Sequence, residues 1–170
     1  MHFLMFFFFK DYGHLKPPNF NYVIREAELC IARKYISAIF QRKLSFKTAE
    51  ERRDAAEKMC REAEQIAELF LPASPSFGST KSAAIARDAI ISLAEVVKSD
   101  LEMVSLELHG LMKKYPDFTQ DQLGCLLSLR GDVGRMDLKQ MASDLLADCT
   151  KEKTTQTTIF SQIPVSLAIF

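Results

Sequence analysis

The chain has 170 residues, no tryptophan, three histidines and four cysteines, and the last two scarcities exclude most. Structural zinc is held by closely spaced ligand pairs, whereas Cys30, Cys60, Cys125 and Cys149 stand far apart with no C-x-x-C between them. His2, His14 and His109 supply no second pair. The sequence also lacks a Gly-rich phosphate loop, an H-E-x-x-H and a G-x-S-x-G. No catalytic, cofactor-binding or metal-binding residue is nominated, so the expectation is a non-enzymatic protein without cofactor. The cysteines are expected to be small buried hydrophobes in a reducing, cytoplasmic setting.

Charge of one sign is missing too. Lys plus Arg number 22 and Asp plus Glu number 22, so no net field draws the chain to nucleic acid or to an anionic membrane. Long hydrophobic runs are absent: "MHFLMFFFF", Met1 to Phe9, falls well short of the roughly 20 apolar residues of a membrane span. As a signal peptide it has no basic n-region and no small-residue cleavage site. Residues 1–20 therefore read as an irregular apolar segment outside the folded unit, a start expected of a truncated or misassigned gene. Gly13, Pro17 and Pro18 mark its latter half as irregular chain.

What remains is a composition, 48% hydrophobic and 26% charged, that suits one globular domain. Its apolar residues recur with helical period throughout. Between Asn21 and Lys43, Ile24, Ala27, Ile31, Tyr35 and Ala38 fall on one helical face. Thr48 and Glu51 form a capping box for a second helix, with Ala56, Met59, Ala63, Ile66 and Phe70 inward and Pro72 beyond its end. Residues 72–82 read as a linker. A third helix over 83–98 is apolar on most sides and should be the most buried. Asp100 is placed to cap a fourth, with Leu101, Val104, Leu108, Leu111 and Met112 inward.

Tyr115-Pro116 stops that helix, Thr119 with Gln122 makes a second capping box, and Phe118 with Leu123 stands at staple positions. Leu123, Leu126 and Leu127 line a short fifth helix, which Gly131 is expected to end in a left-handed conformation. A sixth is expected around Leu138, Met141 and Leu145. No segment alternates with period 2. The fold class is all-α, a bundle of about six helices over 21–150. An apolar tail over 151–170 (Ile159, Phe160, Ile163, Val165, Leu167) should pack on it.

Three motifs invite sharper readings. Arg130-Gly131-Asp132 spells an integrin ligand, but its place at a helix end in a chain without a secretory signal favours a capping role. On that reading Asp132→Glu should leave stability unchanged. Arg33, Lys34, Arg42 and Lys43 make a basic stretch, balanced by Glu26 and Glu28 on the same helix, which suits an ordinary solvated face. His109 stands beside a glycine without a partner in a family-type arrangement, and partial burial is expected of it.

Two blocks in order, "FKTAEERRDAAEKMCREAEQIAELF" (Phe46 to Phe70) and "LMKKYPDFTQDQLGCLLSLRGD" (Leu111 to Asp132), resemble the C-terminal region of the exocyst complex component 3 family. The residues that carry the likeness include Phe46, Phe70, Tyr115, Pro116, Asp117, Leu126, Arg130 and Gly131, and "IFSQIPV" is similar to the family's apolar tail. The likeness runs from Asn21 to Phe170. It implies the C-terminal end of a helical rod that tethers secretory vesicles, binding SNARE proteins and other exocyst subunits. Such a protein is cytoplasmic and is recruited peripherally to the plasma membrane as part of the exocyst. The M-Sec branch of the family implies an alternative: a cytosolic adaptor in small-GTPase signalling and membrane protrusion.

Overall fold

A computed structural model describes residues 10–41, 44–70, 80–132 and 158–165, with 134, 136, 140, 141, 143 and 144. The helices that can be bounded among these described residues are, in chain order, α1 (Pro17–Gln41), α2 (Ala49–Phe70), α3 (Thr80–Lys98), α4 (Val104–Lys114) and α5 (Gln120–Ser128). A 3-10 turn follows at Phe160–Gln162. Met136, Gln140, Met141, Ser143 and Asp144 are also helical, where the sixth helix is expected; Leu138, Leu145, Cys149 and Leu167 lie outside the described residues. Among the described residues no helix is long and apolar enough to cross a membrane.

The core forms where α2 and α3, the most extensively packed pair, meet α1. Ala56, Met59, Ala63, Ile66 and Phe70 are all buried, as their 3-4 spacing requires. On α3, Ala86, Ala89, Ile90, Leu93, Ala94, Val96 and Val97 are buried, so α3 is central. Ile85 at its start is 40% exposed, and the helix begins at Thr80, inside the expected linker.

Two further expectations fail at α1. The helix starts at Pro17 instead of emerging from irregular chain, and Lys10, Asp11 and Tyr12 are helical as well. Proline lacks only an N–H that the first turn leaves unbonded anyway, and its fixed φ suits a helix start. The Lys16 carbonyl accepts from Asn19 N–H (2.9 Å) and Phe20 N–H (3.0 Å). The buried stripe is also rotated: Glu28, Ala32, Ile36 and Phe40 face inward while Ile31 is 39% exposed. Ile24, Ala27 and Tyr35 pack at the flank. A carboxylate within the stripe interrupts the apolar pattern and shifts its apparent centre.

At α4 the expected cap is absent. Met103 is the N-cap, without a side-chain bond, and Asp100 contributes only its carbonyl, to Met103 N–H and Val104 N–H, each at 3.0 Å. Leu101 is consequently 51% exposed; Val104, Leu108, Leu111 and Met112 are buried as expected. The two capping boxes do form. Thr48 Oγ1 accepts Glu51 N–H (3.1 Å) while Glu51 accepts Thr48 N–H (3.2 Å) and Lys47 N–H (2.7 Å). Thr119 and Gln122 exchange the corresponding bonds at 3.2 and 3.0 Å.

Candidate functional site

Most of the residues that carry the family likeness gather at two places. The first lies where the chain leaves α5. Phe46 N–H donates to Leu129 O (2.7 Å) and Gly131 N–H donates to Phe46 O (2.9 Å), a single parallel bridge between two loops of a helical protein. Gly131 sits in this contact for want of space: a Cβ there would lie 2.5 Å from Ser45 Oγ and 2.9 Å from Lys47 Cγ. Among the described residues no glycine has a positive φ, so the expected left-handed cap is corrected to a close backbone approach.

Arg130, between them, is only 1% exposed. Its Nη1 donates to Val96 O (3.0 Å), Ser99 O (2.6 Å) and Ser99 Oγ (3.0 Å), satisfying carbonyls at the end of α3 that no later turn can reach. Its Nε and Nη2 donate to the two carboxylate oxygens of Asp132 at 3.3 and 3.0 Å, a two-armed pair. Asp132 Oδ2 also lies 3.2 Å from Arg52 Nη1, which donates to Lys47 O at 3.3 Å. The Arg-Gly-Asp triplet thus joins the ends of α3 and α5 to the start of α2. An integrin could not read a buried arginine, and Asp132 pairs with both Arg52 and Arg130.

The second place is the loop from Tyr115 to Thr119 and the segment seated on it. The half-buried Asp117 accepts three bonds: from Thr158 N–H (2.7 Å), the Thr158 hydroxyl and Ser161 N–H (2.8 Å). Gln122, 1% exposed, donates from Nε2 to Phe160 O (2.9 Å) and Ile163 O (3.0 Å). Phe160 is fully buried, edge-on to Phe118 (4.7 Å between centroids) and Tyr115 (4.9 Å), and Phe118 meets Phe40 of α1 at 6.4 Å. Ile159 and Ile163 are buried and Val165 is partly so. Arg33 of α1 donates to Gln162. Pro116 stands in the same loop, Leu126 is buried on α5, and Phe70 is buried at the far end of α2.

Neither place is a reaction centre in its chemistry. The Arg130 nitrogens are engaged by carbonyls, a hydroxyl and one carboxylate, and Asp117 by amides and a hydroxyl, while Arg52 Nε is buried without a partner. His109 is exposed, against the expected partial burial, as is Cys30; only Cys125 of the described cysteines is fully buried. Burial, then the Asp121 charge, pushes the Cys125 thiol up. Periodicity could not reveal the partners of Asp117, or the Val96 and Ser99 partners of Arg130, because those bonds join segments distant in the chain. The adjacent apolar residues of "IFSQI" were the available signal for the seated segment.

Residues 6–135 match the family model described as exocyst complex component Sec6, so the match reaches back into the segment expected to lie outside it. Exocyst complex component 3 of Drosophila melanogaster is 34% identical over 140 residues, 82% of this chain and 18% of that protein. The exocyst complex component 3-like protein of Homo sapiens is 31% identical over 159 residues, 92% of this chain and 21% of that one. The Bos taurus 3-like protein is 33% identical over 141 residues. The chain thus spans about a fifth of the length of these relatives. No solved structure gives a significant match.

Proposed function

The chain belongs to the exocyst complex component Sec6 family, and on that premise we propose that it is a non-enzymatic exocyst protein acting in exocytosis by binding other exocyst subunits and SNARE proteins. The observation that carries this reading is the family match over residues 6–135, which takes in the Arg130 junction and the Tyr115–Gln122 side of the second. Relatives that carry the region bear the names exocyst complex component 3 and exocyst complex component 3-like protein. The all-helical build suits work by surface contact, since helices present side chains in fixed register to a partner. Recruitment to the plasma membrane would then come through those partners.

The experiment is co-sedimentation of the purified chain with purified exocyst subunits, beside a pull-down on purified SNARE proteins. A balanced charge predicts no strong steering, and an affinity near micromolar, on the order of −8 kcal/mol, is expected. Binding to exocyst subunits alone would remove the SNARE clause. Folded protein that binds neither contradicts the proposal.

A further inference from the structure

The Asp117–Gln122 loop has the features of a peptide-binding seat, and its own chain fills it. Gln122 is held from below by its capping box: Oε1 accepts Thr119 N–H, and Gln122 N–H donates to Thr119 Oγ1. That arrangement does not involve residues 158–163. It aims Nε2 outward at two main-chain carbonyls, Phe160 O and Ile163 O. Asp117 reads the opposite polarity of the same segment, the amides of Thr158 and Ser161 and the Thr158 hydroxyl. Main-chain reading of this kind supplies affinity, and one buried side chain supplies choice. Here the central side chain is Phe160, enclosed by Tyr115 and Phe118, with Ile159 and Ile163 also buried on either side of it. Ser161 and Gln162 are exposed, the first donating its hydroxyl to Thr158 O and the second accepting from Arg33.

We propose that Tyr115, Asp117, Phe118 and Gln122 form a seat for a short peptide, occupied in cis by residues 158–163, that accepts the same Thr-apolar-Phe-Ser-polar-Ile pattern from another molecule once the resident segment is displaced. The occupant is defined by what the seat already holds: a hydroxyl and amide donor for Asp117, a phenylalanine, and two carbonyls turned toward Gln122. The resident copy competes because it is tethered.

The test uses the full chain and a fluorescent peptide of residues 156–166. In F160A the resident segment loses its anchor, and in T158E a second carboxylate faces Asp117; each is first checked for helix content by circular dichroism. Both variants should bind the peptide saturably, and the wild-type chain at least about tenfold more weakly, because tethering gives its resident segment an effective concentration in the millimolar range. A peptide with alanine in place of Phe160 should not bind, and adding D117A to F160A should abolish binding. Folded F160A and T158E that fail to bind the peptide overturn the proposal, as does equal binding by the wild-type chain or by the alanine peptide. If both variants unfold, residues 158–163 are inseparable core and the proposal is likewise wrong.

Discussion

Arg130 shows how one side chain can do the work of a cap, a bridge and a core residue at once. A buried arginine is tolerable only when its donors are engaged, and here they meet the carbonyls of Val96 and Ser99, a serine hydroxyl and a carboxylate. Arg130→Ala should destabilise the protein by about 3–5 kcal/mol, the cost of breaking a buried pair and leaving its partners bare. Asp132→Asn should cost less, since its oxygen still accepts from one arginine. Urea denaturation of both checks the order; an Arg130→Ala midpoint equal to wild type would show that the knot contributes nothing. At Gly131 an added methyl meets Ser45 Oγ, which can rotate away, but also the Lys47 backbone at 3.3 Å. Gly131→Ala is therefore expected to lower stability by about 1 kcal/mol, the low end of overpacking costs, in the same assay. In the sequence these residues stood out only as a likeness and as a triplet spelling a false ligand. Burial of Arg130 depends on Val96 and Ser99 arriving from the end of α3, which spacing along one element cannot express.

Helices with a clean apolar stripe were legible, and their caps more so. α2 follows its 3-4 pattern because no polar residue enters its buried face beyond Arg52 in the first turn. α1 does not, because Glu28 sits within the buried stripe and the apolar neighbours Ile24 and Ile31 fall to its flank. Both capping boxes were readable because their bonds span three residues. Thr119→Ala should cost about 1 kcal/mol. Gln122→Ala should cost more, since it also removes two donors from buried carbonyls; thermal melts that rank the two in reverse would contradict this. At the other box, backbone N–H groups of Thr48 and then Lys47 hold the Glu51 carboxyl below its ordinary value of 4.5. A lowered folded-state pKa favours the folded form above the ordinary value, and that contribution is lost as pH falls through the folded one. The stability difference between wild type and Glu51→Ala should therefore shrink as pH drops below about 4.5. A pH-independent difference would mean the charge plays no part.

At the scale of the whole molecule, the helices make a body and the 158–163 segment closes it. Its seat draws on α1, the loop before α5 and α5 itself, so the segment reports on the integrity of all three. The all-α architecture was legible because period-2 patterning is missing throughout. The parallel bridge at Phe46 was not, since one rung of pairing leaves no periodic trace. Partner binding is written still less plainly: balanced charge and helical period are shared by many proteins, and the family likeness alone pointed to the exocyst. The most direct test is therefore affinity capture of the tagged chain from cells, with quantified exocyst subunits, beside a Leu126→Asp variant. That variant places a carboxylate at a fully buried position, at a cost of several kcal/mol, and should unfold the C-terminal helices. The account predicts exocyst subunits enriched with the wild-type chain and lost with the variant. Folded wild-type chain that recovers no exocyst subunit above an untagged control would contradict it.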